Sequence, residues 1–165
     1  MKIESESEMI ECGKKLAEKI KSRWDFADTE RNVNSAVVIE LVGDVGVGKT
    51  TLTRGLAEGL GVKEPVTSPS FTISKVYALS SGGQLIHYDF YRLNDPGLMM
   101  EDLQENLTNP ENVVVIEWGE SVTDILPREH LKVEIIYNDD GTREVMVQDS
   151  DLQMERDVNE KDRNG

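Results

Sequence analysis

The chain has 165 residues, the length of one domain that can bury most of its apolar surface in a single core. Its 32 Asp and Glu residues outnumber 18 Lys and Arg residues, which gives a formal net charge of -14. This balance excludes nucleic-acid binding by counterion release, so we expect no DNA partner, and any RNA must be reached through a partner or a local patch.

The amino-terminal residues lack the apolar stretch of a signal peptide, and no apolar run approaches the roughly 20 residues of a membrane helix. The single cysteine, Cys12, excludes an intramolecular disulfide and offers no metal cluster. These features predict a cytoplasmic protein with no membrane partner.

The first predicted element is an amphipathic helix over residues 7–24. Ser5 and Glu8 have the spacing of a capping box, in which a hydroxyl and a carboxylate accept hydrogen bonds from the free N–H groups of a helix start. Apolar side chains then recur at helical spacing from Ile10 to Trp24. Residues 25–35 are polar and predict a loop.

A buried strand and a second helix flank a glycine-rich segment. Ala36 to Val42 is a short β-branched run, which is typical of a strand buried on both faces. Residues 43–50 follow, and the stretch from Thr51 to Leu60 predicts a helix that ends at Gly61.

The second half predicts two hairpins and one more buried strand. Phe71–Leu79 and Gln84–Tyr91 alternate well enough to be strands joined by a turn. The other predicted elements are a helix at 98–107, a buried strand at Val113–Ile116, and a hairpin of Leu131–Tyr137 with Arg143–Gln148. Residues 149–165 are polar, charged and without period, and they predict an acidic, disordered tail.

The segment from Gly43 to Thr50 is a complete Walker A motif between a predicted strand and a predicted helix. Its glycines let the backbone approach phosphate, and the helix start adds the positive end of its dipole. Lys49 should reach the β- and γ-phosphates of a nucleotide, and the Thr50 hydroxyl should bind Mg²⁺. The predicted nucleotide-binding residues are Gly43, Asp44, Val45, Gly46, Val47, Gly48, Lys49, Thr50, Thr51 and Trp118.

The motif and the order of elements together predict the fold class. We expect a single α/β domain over residues 1–148, with a P-loop NTPase-like three-layer fold. Its sheet should be mixed and largely parallel, with appended antiparallel hairpins. The expected cofactors are ATP and Mg²⁺.

Two acidic residues are candidates for the metal side of the site. Glu117 directly follows Val113–Ile116, where a P-loop enzyme carries a carboxylate, usually Asp, that binds Mg²⁺ directly or through water. Asp89 is the second candidate, and the two carboxylates could divide metal binding from orienting water or sensing the γ-phosphate. The predicted catalytic residues are Lys49, Asp89 and Glu117, and the predicted metal ligands are Thr50 and Glu117.

Three further residues have competing interpretations. Trp118 is either a core residue or a neighbour of the nucleotide, because it directly follows Glu117. His87 and His130 are interpreted as packing or surface residues rather than as catalysts.

Four sequence blocks resemble the TsaE (YjeE) family of bacterial ATPases, which assist the synthesis of threonylcarbamoyladenosine in tRNA. The blocks are the Walker A motif, Thr-Ser-Pro-Ser-Phe at 67–71, His-Tyr-Asp-Phe-Tyr-Arg-Leu at 87–93, and Ile-Glu-Trp at 116–118. Their order and spacing agree with the family over about residues 5–148. The last two blocks are far more specific to the family than the P-loop is.

The resemblance implies weak ATP hydrolysis that is stimulated by a complex of two partners, TsaB and TsaD, which transfers the threonylcarbamoyl group. The chain would then meet tRNA only indirectly, through that complex. By the same resemblance, Lys49 and Thr50 hold phosphates and Mg²⁺, and Glu117 is the acid on the metal side. Asp89 would serve catalysis or sensing, and residues 67–71 would act as a switch-like loop.

The chain departs from the family pattern in three places. Ser70 replaces the usual Thr, and its hydroxyl preserves the role. Met9 lies near a position where the family often has Thr, which leaves the adenine contact there open. The polar stretch 25–35 is longer than the family pattern.

Two other functions stay open. A small-molecule kinase of this fold needs a lid with several arginines, whereas the arginines after the P-loop form no cluster in the sequence. A regulatory module that binds ATP without needing to hydrolyse it would use the same binding residues. If the chain is an ATPase, we expect a partner to supply the arginine that stimulates hydrolysis. The alternative is that Arg92 of this chain supplies it.

Overall fold

The computed structural model describes residues 1–30, 35–91, 93, 95 and 97–149. The helices are α1 (Glu6–Glu30), α2 (Lys49–Gly59) and α3 (Leu98–Leu107), with a 3-10 helix at Gly119–Ile125. The strands are β1 (Lys2–Ile3), β2 (Val37–Val42), β3 (Ser74–Ala78), β4 (Gln84–Asp89), β5 (Val113–Glu117), β6 (Leu131–Tyr137) and β7 (Arg143–Asp149).

The strands of the described chain form one seven-stranded sheet in the order β1-β7-β6-β2-β5-β4-β3. The four central strands, β6, β2, β5 and β4, are parallel to one another. β7 and β1 extend one side of the sheet in antiparallel pairing, and β3 extends the other. This arrangement confirms the predicted α/β class with a mixed sheet and appended hairpins.

Helices cover both faces of the sheet, which gives the three layers expected from the sequence. Strand side chains alternate between the faces. One face packs against α1 and α2 through residues that include Ile39, Leu41, Val113 and Val115. The other face packs against α3 and the 3-10 helix through residues that include Val38, Val114, Ile116, Ile86 and Tyr88. The β-branched runs of β2 and β5 are therefore buried on both faces, as predicted.

α1 begins close to its predicted start but is longer than predicted. The backbone N–H of Glu8 donates to Ser5 Oγ at 3.2 Å, while the Glu8 carboxylate accepts from the N–H of Glu4 at 2.7 Å. The predicted loop at 25–35 is wrong for residues 25–30, which continue the helix to Glu30. These six residues contain no Gly or Pro, so their polarity did not end the helix. Residues 31–34 lie outside the described residues.

The first hairpin is shorter than predicted. β3 begins at Ser74 instead of Phe71, because the N–H groups of Thr72 and Ile73 both donate to the Pro69 carbonyl in a turn. β4 ends at Asp89.

At the carboxyl end, β7 reaches Asp149, one residue beyond the predicted domain boundary. The rest of the predicted disordered tail lies outside the described residues. Of the helices that the structure describes, none has both the length and the apolar composition that crossing a bilayer requires.

α1 and α2 cross at close range because glycines face the partner helix. A Cβ added at Gly13 would lie 2.6 Å from the backbone nitrogen of Leu56, and one added at Gly59 would lie 2.5 Å from the Cβ of Ala17. A Cβ at Gly55 would overlap the backbone carbonyl of Ile10. The backbones of the two helices are thus in contact along most of α2.

We expect Gly55→Ala to lower the free energy of unfolding by about 1–2 kcal/mol. The added methyl overpacks a backbone contact, and this cost exceeds the gain of about 1 kcal/mol in helix propensity. Urea unfolding followed by circular dichroism measures the change. The control is Glu58→Ala on the same helix, which removes an exposed ion pair with Lys14 at 2.9 Å and should change the free energy by about 0.5 kcal/mol or less. An equal, small effect of both substitutions would contradict the close contact.

Candidate functional site

The predicted site residues meet at the carboxyl ends of three parallel strands. β2 leads into the glycine-rich loop, Glu117 is the last residue of β5, and Asp89 is the last residue of β4. The strand register pairs Glu117 with Leu41 on one side and with Asp89 on the other. Because this edge is where ligands bind in open α/β sheets, the topology favours one shared site.

The glycine-rich loop has the backbone conformation that its sequence predicts. Gly43, Gly46 and Gly48 have φ angles of 147°, 78° and 118°, which favour glycine. A side chain at Gly43 would also collide with the backbone of Ile135 on β6. α2 begins directly after the loop, so its unpaired backbone N–H groups and its positive dipole end lie beside the loop. This is a cradle for an anion.

Lys49 carries a buried positive charge in this cradle. Its side chain is 5% exposed, and Nζ donates to the carbonyl oxygens of Gly43 at 2.7 Å and Asp44 at 3.0 Å. Burial lowers the pKa of the Lys49 ammonium, against the attraction of Glu117, Asp89 and other acidic neighbours, which acts to raise that pKa. A phosphate that enters the loop would therefore find a desolvated cation already in place.

Glu117 is buried between Lys49 and a histidine. Its Oε2 lies 3.9 Å from Lys49 Nζ, and its Oε1 lies 2.9 Å from His87 Nε2. Glu117 is 4% exposed and His87 is completely buried. The two oxygens of the carboxylate thus face different partners.

Asp89 connects the sheet to the loop at 67–73. Its Oδ2 accepts a hydrogen bond from Ser70 Oγ, and its Oδ1 accepts one from the N–H of Tyr91 at 3.0 Å. Its own N–H donates to the carbonyl of Ile73 at 2.8 Å. Ile73 has a φ of 68°, which is a strained conformation for a β-branched residue. The backbone N–H of Asp89 therefore holds the strained Ile73, and its carboxylate holds the Ser70 hydroxyl, at the edge of the site.

The position of Trp118 combines features of the two interpretations that the sequence left open, a core residue and a neighbour of the nucleotide. Its half-buried side chain packs against the core beneath α3. Its ring also lies 4.5 Å from Lys49 Nζ, in cation–π geometry, and 4.9 Å from the ring of Tyr91. Trp118 therefore borders the lysine in the cradle.

The amino-terminal side of α2 is bordered by residues from both ends of the chain. Arg143 at the start of β7 donates from Nε to the carbonyl of Val47 at 2.9 Å. Met9 of α1 approaches Gly48, and both residues line a cavity with Thr51 and Arg143. No sequence pattern pointed to Arg143, because its contact depends on the turn between β6 and β7.

The other predicted residues of the motif are distributed along the loop and the start of α2. Asp44 and Val45 are exposed, Val47 is buried, and Thr50 and Thr51 are half-buried in the first turn of α2. His130 lies away from these residues. Its Nε2 is 3.4 Å from Glu40 Oε2, and its Nδ1 is 2.8 Å from the Pro127 carbonyl oxygen. His87, interpreted from the sequence as a packing or surface residue, contacts Glu117 directly.

The site fits Mg²⁺ bound together with a nucleotide better than Mg²⁺ bound alone. In the described part of the chain, no group of three or more His, Cys, Asp or Glu side chains forms a metal site. Mg²⁺ commonly keeps several waters and uses one or two protein carboxylates with substrate phosphates. Thr50, Asp89 and Glu117 supply oxygen atoms of the required kind around the anion cradle.

Comparisons with known proteins give one consistent result. Residues 3–145 match the family model described as "Threonylcarbamoyl adenosine biosynthesis protein TsaE". The tRNA threonylcarbamoyladenosine biosynthesis protein TsaE of Haemophilus influenzae is 34% identical over 91% of this chain and 89% of its own length. The protein of the same description from Streptomyces coelicolor is 46% identical over 59% of this chain and 67% of its own length.

A solved structure agrees with the sequence comparisons. The crystal structure of Bacillus subtilis YdiB matches with a TM-score of 0.64 and 30% sequence identity. The match covers 99% of this chain and 93% of that one. The likeness therefore extends through the whole sheet and the site at its edge.

Proposed function

The chain belongs to the TsaE family, and on this premise we propose that it hydrolyses Mg-ATP in support of a TsaB–TsaD complex that makes threonylcarbamoyladenosine in tRNA. The family acts in threonylcarbamoyladenosine biosynthesis. ATP as the nucleotide, hydrolysis as the reaction, and the two partners are the parts of the proposal that go beyond family membership.

The observation that carries the proposal is the buried ammonium of Lys49 inside a loop of positive-φ glycines. A desolvated cation that donates to two loop carbonyls is ready to exchange these for phosphate oxygens, to which charge-assisted hydrogen bonds are stronger. The start of α2 supplies backbone N–H donors to the same place. Both features support binding of a nucleotide polyphosphate.

The residues around the cradle have separate roles in this proposal. Thr50 and Glu117 would hold Mg²⁺, which when bound neutralises charge on the β- and γ-phosphates. Lys49 would stabilise the same phosphates from the loop side. Asp89 would orient the attacking water or respond to the γ-phosphate through Ser70, which it holds at the site edge.

The negative charge of the chain affects how the chain can contact tRNA. A net charge of -14 opposes direct contact with a phosphate backbone. In our proposal, the TsaB–TsaD complex contacts the tRNA, and this chain contacts the complex. Location in the cytoplasm, where such a complex would work, is part of the same proposal.

Two of the arginines that the structure describes already have partners within the chain. Arg54 donates to Glu6 at 2.8 Å, and Arg143 is engaged with Val47. Arg92, the internal rival, lies outside the described residues. We therefore propose that a partner supplies the cation that stabilises the transferring phosphoryl group, so that the chain alone is slow.

Phosphate release from Mg-ATP tests the proposal, with purified chain measured alone and with the TsaB–TsaD complex. We expect slow release by the chain alone and a rise of several-fold with the complex, because the complex completes the site. Lys49→Ala is the blank, and Arg54→Ala, at an exposed ion pair, is the matched control for a lost cation.

Three outcomes separate the alternatives. ATP binding without release under either condition would replace the ATPase with a nucleotide-gated binding module. Phosphate transfer to a small molecule in place of water would favour a kinase. Arg92→Ala with unchanged stimulation would eliminate the internal arginine.

A further inference from the structure

We propose that His87 is a positioning residue for Glu117, fixing one oxygen of that carboxylate so that the other faces the phosphate cradle. The identity of the ligand in the cradle, a Mg-nucleotide, rests on the proposed function. The assignment of His87 rests on its own contacts.

The backbone fixes His87 and Glu117 relative to each other. β4 and β5 are parallel, with His87 opposite Val115 and Asp89 opposite Glu117. His87 therefore reaches Glu117 diagonally, on the face that carries Asp89. Both strands lie inside the sheet, with neighbours on each side, so neither residue can shift without disturbing the ladder.

The two oxygens of the Glu117 carboxylate have different neighbours. His87 Nε2 lies 2.9 Å from Oε1, and Lys49 Nζ lies 3.9 Å from Oε2. A carboxylate held at one oxygen by a rigid donor has lost its rotational freedom about the last side-chain bond. Oε2 is thereby presented to the cradle as a single ligand atom.

The unused nitrogen of His87 shows that packing alone does not explain the residue. Nδ1 is buried, with no hydrogen-bond partner among the described residues, while Nε2 makes the one hydrogen bond of the ring that the structure describes. Toward an ionised carboxylate, Nε2 carries the proton and donates it. A buried nitrogen without a partner costs stability that an apolar side chain of similar size would not. The hydrogen bond to Glu117 is the feature that an apolar residue could not supply.

Three variants of His87 separate the hydrogen bond to Glu117 from packing. In His87→Gln, the amide nitrogen can reach the position of Nε2, and the unpaired Nδ1 has no bond to lose. In His87→Asn, the same chemical group ends near the position of Nδ1 and cannot reach Glu117. His87→Phe fills the slot without a donor.

The measurement is the Mg²⁺ enhancement of nucleotide binding, which needs no turnover. Isothermal titration calorimetry gives the dissociation constant for a non-hydrolysable ATP analogue with Mg²⁺ and again with EDTA, and the enhancement is the ratio of the two. Loss of a residue that orients a metal ligand costs about 10- to 100-fold in metal affinity. We expect that loss in His87→Asn and His87→Phe, near wild-type enhancement in His87→Gln, and unchanged binding in EDTA for all three. In a Glu117→Gln background, His87→Phe should have no further effect.

Several results would overturn the assignment. If His87→Gln fails to fold or loses as much as His87→Asn, then the residue serves packing. Equal losses with and without Mg²⁺ would also indicate a structural role. Wild-type enhancement in both His87→Asn and His87→Phe would eliminate positioning while leaving the proposed function intact. A wild-type chain that does not bind the analogue would instead remove the proposed function, and the inference with it.

Discussion

Lys49→Ala is expected to abolish nucleotide binding while leaving the fold intact. The substitution removes the buried cation and leaves the carbonyls of Gly43 and Asp44, with the Glu117 carboxylate, facing an incoming polyphosphate. Two charge-assisted hydrogen bonds to phosphate are together worth about 3–6 kcal/mol, so affinity should fall by about 100-fold or more. Calorimetric titration with Mg-ADP measures the loss, and circular dichroism checks the fold.

The control for this prediction is a lysine outside the cradle. Lys14 on α1 is 41% exposed and pairs with Glu58, so Lys14→Ala should bind Mg-ADP like the wild type. If both alanine variants bind equally well, then the loop at 43–50 is not the phosphate site.

Glu117→Gln has the second largest expected effect. Gln keeps the size of the side chain but removes the charge that we propose binds Mg²⁺, so partner-stimulated phosphate release should fall by about 100-fold or more. Binding of ADP in EDTA should stay close to the wild type, because in our proposal the loop and Lys49 hold the phosphates. Steady-state release over a series of Mg²⁺ concentrations measures the effect.

Asp89→Asn is the matched comparison, since the two acids end neighbouring strands and are paired in register. We expect slower release with an unchanged Mg²⁺ requirement, because Asp89 contacts Ser70 and the backbone of Tyr91. If Asp89→Asn shifts the Mg²⁺ requirement and Glu117→Gln does not, then the two roles are reversed. If Glu117→Ala keeps full partner function without turnover, then the chain is a binding module.

The sequence predicted where the central residues of this candidate site lie, because their geometry is local. A buried β-branched run, a glycine-rich loop and a helix start fix the positions of Lys49 and Thr50 relative to the loop. Glu117 was predicted on the metal side because it directly follows a buried strand, and Asp89 was predicted as the second carboxylate. Each of these predictions needed only the type of an element and its direction.

What the sequence did not predict depends on register and on distant contacts. His87 faces Glu117 only because β4 and β5 pair with Asp89 opposite Glu117, and no periodicity encodes that alignment. Arg143 reaches Val47 across most of the chain length. The end of α1 was missed for another reason: residues 25–30 are polar but contain no helix breaker, so composition could not distinguish a loop from an exposed helix.

The glycine contact between α1 and α2 affects which part of the molecule a partner can use to detect bound nucleotide. α2 carries the phosphate cradle at its start, and Gly13, Gly55 and Gly59 bring its backbone against α1, with no side-chain layer between the two helices to deform. The pair of helices α1 and α2 therefore supports the cradle rigidly. Ser70 and the strained Ile73 are instead held by Asp89, Ser70 through the carboxylate and Ile73 through the backbone N–H. We expect a partner that distinguishes the nucleotide-bound form from the empty one to contact this loop.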